Sequence, residues 1–211
     1  MRPSTALLSS LLGLATAMSS GEEFTSSGTP DGGFTIPKGL PDGIYSVSVD
    51  EAGVAHHTTV STLSSRSEGA APLDVLGAVK RRRSGGATLQ KRDWGFDCGG
   101  GREMNHQATD TAVDLLRREC GGGKTVGVGT HLYGIGNSGG HQVAAFFCLF
   151  DHNPSERACY NSEAGLRYEA ITQVCGWYRE GWTDWYSGST KEYTYGYHLV
   201  DDNKNFCGRN H

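Results

Sequence analysis

Four histidines in the C-terminal half, His131, His141, His152 and His198, stand with Glu156, Glu163 and Glu169 as residue types that can form an acid–base pair of the ribonuclease kind. No spacing ties one of these histidines to one of these glutamates. Neither a metalloprotease helix motif nor Gly-x-Ser-x-Gly is present. The sequence therefore assigns no catalytic residue, and it leans away from an enzyme. Six cysteines, Cys98, Cys120, Cys148, Cys159, Cys175 and Cys207, all lie after position 97. They contain no Cys-x-x-Cys pair, which argues against a metal site, and oxidised pairs are not nucleophiles. Their even number points to disulfides, and sequence alone selects no connectivity. His56 and His57 lack a third ligand, so no metal and no cofactor is expected. The glycine runs 99–101 and 121–123 lack the strand-then-helix context of a phosphate loop and read as turns.

The most unusual local feature is aromatic. Trp177, Tyr178, Trp182, Trp185 and Tyr186 fall within ten positions. Large rings with a polar handle suit a contact surface for a protein, a channel or a carbohydrate. The competing role is completion of a small core.

The elements that hold these residues follow from patterning. Residues 1–17 read as a signal peptide: Arg2, the apolar run Ala6–Leu14, then the small-x-small site ending at Ala17. Residues 18–92 are poor in large apolar groups and rich in Ser, Gly, Thr and Ala, which predicts a mostly disordered propeptide. One hairpin around Pro41-Asp42-Gly43 is the exception. Lys91-Arg92 forms a kexin-type processing site before Asp93, and Lys80-Arg81-Arg82-Arg83 offers another. The mature domain is then 93–211. From Asp93 it carries 10 Lys+Arg against 15 Asp+Glu. That balance disfavours nucleic-acid partners. No run spans a membrane, and an extracellular monomer is expected.

Within that domain, 105–120 predicts a helix with Asn105 or Thr109 as its cap. Residues 124–135 and 141–150 predict strands joined by a loop over 136–140. The apolar run 144–150 predicts a central strand covered on both sides. Residues 161–178 predict a second helix, capped by Asn161 or Ser162 and ended by Gly176, with Leu166, Ala170, Val174 and Tyr178 in one row and Ile171 and Cys175 in the next. Residues 182–186 read as an aromatic loop, and Tyr193–Val200 as a strand. The fold class is α+β: a small disulfide-stapled sandwich, an antiparallel sheet with two helices on one face.

Phe96-Asp97-Cys98, Leu115 to Cys120, Val143 to Phe147, Ile171 to Gly176, and Tyr195-Gly196-Tyr197 leading to Phe206-Cys207 together resemble the α/β-sandwich killer toxins encoded by viruses of smut fungi, and their relatives in filamentous fungi. The segment Leu40–Val49 is similar to leaders of ascomycete secreted proteins. The resemblance implies the pairing Cys98–Cys175, Cys120–Cys159 and Cys148–Cys207. It also implies a secreted toxin or effector that acts on a cell-surface or channel target, in part through basic residues; Lys124 is the nearest candidate. The killer toxins carry more cysteines, and this domain is acidic. Fold carries over better than activity. The alternatives are a secreted ribonuclease-like hydrolase and a non-toxic cell-wall or surface protein.

Overall fold

Gly139 and Gly140 adopt φ of 57° and 78°, the two left-handed positions of a tight hairpin turn whose twist matches its strands. They join β7 (Thr130–Ser138) to β8 (His141–Leu149). The connection is shorter than the five-residue loop expected from composition, because Gly136, Asn137 and Ser138 still pair with Val143, Gln142 and His141. A computed structural model describes residues 21–29, 31–63, 94–150, 157–201 and 204–208 of the chain. The signal peptide with Ala17, the basic run 80–83, Lys91, Arg92, His152 and Glu156 lie outside the described residues.

Around this hairpin the strands build one ten-stranded sheet in the order β12-β2-β1-β4-β3-β7-β8-β11-β10-β5. The remaining members are β1 (Glu23–Thr29), β2 (Gly33–Thr35), β3 (Gly43–Val49), β4 (Val54–Thr62), β5 (Trp94–Asp97), β10 (Gly181–Ser187), β11 (Thr190–Leu199) and β12 (Asn205–Phe206). Its pairings are antiparallel, and it curls as a half-barrel. A separate pair, β6 (Lys124–Val126) with β9 (Arg157–Cys159), lies apart. The strand expected over 124–135 is therefore interrupted, by a turn in which Thr130 N donates to Gly127 O.

Residues 23–62 carry four of these strands, where composition predicts a mostly disordered segment with one hairpin. β1 (EFTSSGT) has a single large apolar residue and could not order alone. It is held between β4 and β2 by backbone pairing, which is blind to side-chain polarity.

Helix α1 spans His106–Cys120; Asn105 caps it, its Oδ1 accepting from Ala108 N at 3.0 Å. It lies close on β7: a Cβ on Gly136 would meet Ala108 O at 2.1 Å, and one on Gly134 would meet Ala112 O at 2.6 Å. Helix α2 spans Asn161–Cys175 and ends at Gly176, φ 99°. Its N-cap is Tyr160, without a side-chain cap; the expected cap Asn161 instead accepts from Arg117 at 3.0 Å. α2 buries Ala164, Tyr168 and Ile171, and Tyr168 packs on Tyr195 and Tyr197. One core joins these residues to α1, Phe147 and Leu149. A second core joins Phe34, Tyr45 and Val47 to Tyr133, Phe146 and Phe206. β8 contributes to both.

Three disulfides link Cys98–Cys175, Cys120–Cys159 and Cys148–Cys207. They close separations of 77, 39 and 59 residues; loops of that length restrict the unfolded chain by about 4 kcal/mol each.

Candidate functional site

Strand alternation divides the five aromatic residues. Residues 182–186 belong to β10, a strand rather than a loop, paired on both edges with β11 and β5. Trp185 therefore stacks on Tyr193 and meets Trp94 against the core that contains α1 and α2 residues. Trp182 lies on the opposite face, against Gly196 and Gly99. Tyr186 donates to Asp184 at 3.4 Å. These three rings are half-buried and act chiefly as packing.

Trp177 and Tyr178 differ. Trp177 is 78% exposed. Tyr178 sits at φ 54°, a left-handed conformation unusual for a ring-bearing residue. It is held there from three sides: its carbonyl accepts from Met104 N at 2.8 Å, its hydroxyl donates to Asp110, and its ring stacks on His106 at 3.8 Å. This braced Tyr178 fixes the backbone from which Trp177 projects.

The two rings end a groove of about 850 Å³ between α1 and α2. Leu166 is 67% exposed and Val174 57%. The row Leu166, Ala170, Val174 thus turns outward, while the neighbouring row carrying Tyr168 and Ile171 is buried. The sequence signal was two apolar rows on a helix that needs only one. The groove floor is polar and mixed in charge, with Asp110, Arg117 and Glu169.

Of the histidine–glutamate combinations that the candidate histidines and glutamates allow, none forms among the described residues. His131 Nδ1 accepts from Leu149 N, and its ring stacks on Phe34. Glu163 accepts from Tyr193 OH at 2.8 Å and pairs with Arg157 and Arg167. Glu169 accepts from Gln173. His141 lies exposed at the hairpin. Lys124 pairs with Glu119.

His198 instead meets Glu180, a residue that no motif singled out. The β10–β11 register pairs Gly181 with Tyr197, so the residues one step further, Glu180 and His198, come together. Glu180 is fully buried. It accepts from Arg102 Nε at 3.0 Å and Leu199 N at 3.3 Å, and its Oε1 lies 3.1 Å from His198 Nδ1. Leu199 O also faces Nδ1, at 2.9 Å. Two acceptors at Nδ1 place the ring proton there, leaving a lone pair on Nε2. Nε2 is buried without a hydrogen-bond partner among the described residues. Burial lowers the ring's pKa, against the raising effects of Leu199 O and Glu180. His198 lines a cavity of about 50 Å³ with Trp182, Lys191 and Phe206. Beside it, Lys191 pairs with Asp184 at 3.0 Å.

His131, Cys148 and Cys207 place potential ligand atoms within 4.8 Å of one another. Both sulfurs belong to the same disulfide, so neither is a thiolate ligand. No protein-family model, curated protein or solved structure matches the chain.

Proposed function

We propose that the chain is a secreted toxin-like or effector protein of the killer-toxin type, whose processed C-terminal part binds a protein or channel at a cell surface. In this reading the fold is a sandwich with both helices over one sheet face, and the contact surface is the groove between them. The observation that carries it is the exposure of Leu166, Val174 and Trp177, three large apolar groups left at 57% exposure or more on α2 and the turn that follows it, with Leu166 and Trp177 lining the groove. Large exposed apolar patches mark interaction sites, and tryptophan is enriched among interface anchors. Three disulfides suit an oxidising, extracellular setting.

Binding of the labelled secreted protein to fungal and plant cells tests the proposal. The double variant Leu166→Ser, Trp177→Ala is expected to bind at least about tenfold more weakly, on the scale of an interface anchor. Its thermal midpoint should stay near wild type, because both side chains face solvent. Equal binding by the variant removes the groove from the mechanism.

The His198–Glu180 pair favours a second reading, a ribonuclease-like hydrolase. An imidazole oriented through Nδ1 by a buried carboxylate, with an unprotonated Nε2 beside a cavity, has the form of a general base. Incubation of the purified protein with RNA is the test. On this reading His198→Ala abolishes turnover; absence of turnover by the wild type retires the hydrolase.

A further inference from the structure

The four strands of residues 23–62 occupy contiguous places in the sheet, and strands of the C-terminal half hold them at both ends. On one side β3 pairs with β7 from Gly43↔Ile135 to Ser48↔Thr130. On the other, β2 pairs with β12 at Asn205↔Thr35 and Phe206↔Phe34. The segment is therefore clasped between two edges of the second half rather than appended to one.

The seam is built to interior standards. Phe34, Tyr45 and Val47 are buried with Tyr133, Ile135 and Phe206 in one core. Tyr45 stacks on Tyr133 with centroids 5.2 Å apart. His57, fully buried, reaches Tyr133 OH at 2.8 Å. Asn137 donates through Nδ2 to Leu40 O and Asp42 Oδ1, and Gln142 donates to Leu40 O. At the β2–β12 end the backbones approach so closely that a Cβ on Gly33 would meet Phe206 O at 2.0 Å.

No covalent bond crosses this seam. All six cysteines lie at 98 and beyond, and the three disulfides join them to one another. Only the main chain through 64–93 connects the two parts, and the two candidate processing sites, 80–83 and Lys91-Arg92, fall there, whereas the dibasic pair Arg117-Arg118 lies inside α1. Departure of the first part would leave β7 paired on one edge only, with β8, would strip β12 of β2, and would uncover Tyr133, Ile135 and Phe206. Unpaired edges beside exposed aromatic rings favour recapture of a complementary strand.

We infer that residues 21–63 form a strand-donating subunit that stays bound to 94–208 after the chain between them is cut, so that the processed protein is a non-covalent two-chain sheet. The partner of the β7–β12 cleft is this protein's own N-terminal segment.

The test uses the whole chain with residues 80–83 replaced by the recognition sequence of a site-specific protease. After complete cutting, judged on a denaturing gel, size-exclusion chromatography and native mass spectrometry at neutral pH and micromolar concentration are expected to give one species containing both fragments in equal amounts. Separate elution of the fragments overturns the proposal. In the cut protein, Gly33→Val is expected to raise the dissociation constant of the fragments at least tenfold by pushing β2 off β12. A constant unmoved by Gly33→Val also overturns it, since the clasp would then not be what holds them.

Discussion

Replacing Gly136 with valine is expected to destabilise the protein by about 4 kcal/mol or more, near the upper end of single substitutions. The reason is backbone against backbone. A Cβ at 136 would stand 2.1 Å from Ala108 O and 2.8 Å from Ala112 N, so relief requires lifting α1 off β7 rather than turning a side chain. Overpacking that a rotamer change can absorb costs about 1–3 kcal/mol; here no rotamer is involved, and the Ala108 and Ala112 contacts that seat the helix go as well. Gly122 is the control: nothing lies within 4 Å of its built Cβ, and Gly122→Ala should stay within about 0.5 kcal/mol of wild type. Urea unfolding compares them. Coincident midpoints for Gly136→Val and Gly122→Ala would refute the close approach.

Acidification should remove a comparable share of stability through His57. Its ring is enclosed by Phe24 and Phe34. Ser26 spends its hydroxyl proton on Thr35 O, so it accepts from His57 Nε2, and Tyr133 then donates to Nδ1. Both nitrogens are satisfied by the neutral ring. Burial, with a lesser effect of nearby His56, lowers its pKa from 6.5 to about 4. The unfolded chain therefore binds a proton that the fold refuses. Stability is full above about 6.5, falls as pH drops toward about 4 and then levels, a loss of about 3 kcal/mol. Burial of His198 acts in the same direction. His57→Gln should flatten the pH dependence of the urea midpoint between pH 6.5 and 4 by its share. An unchanged slope would show that the ring is not what titrates. In the cut protein the same window should loosen the two chains, because His57 and Tyr133 lie on opposite sides of the seam.

Much of the fold was legible where local chemistry decides it. Asn105, one of the two caps the sequence offered, carries its capping oxygen in its own side chain, and α1 begins directly after it. The apolar run after Val143 announces a strand covered on both faces, and β8 feeds both cores. What was not legible depends on partners. β1 is polar and derives its order from β4 and β2. Trp182 and Trp185 stand three apart and so face opposite sides of β10, and the register shifts between Trp185 and Tyr186, so the segment shows no period-two pattern and resembled a loop. α2 offered two apolar rows, and only the tyrosines of β11 select which is buried. Glu180 had no spacing relation to His198; antiparallel pairing alone brings them together. The groove, likewise, was half visible: Trp177 and Tyr178 stood out by type, whereas Leu166 was hidden by the assumption that an apolar row faces inward.

The clasp also sets an order of events during synthesis. Phe34 leaves the ribosome long before Phe206, its partner in the β2–β12 pair, has been made. Until then the first strands lack their closing edge, and the sheet cannot be completed from the front. Such distant pairings make folding slow. Loss of Asn205 and Phe206 would leave β2 without its outer partner.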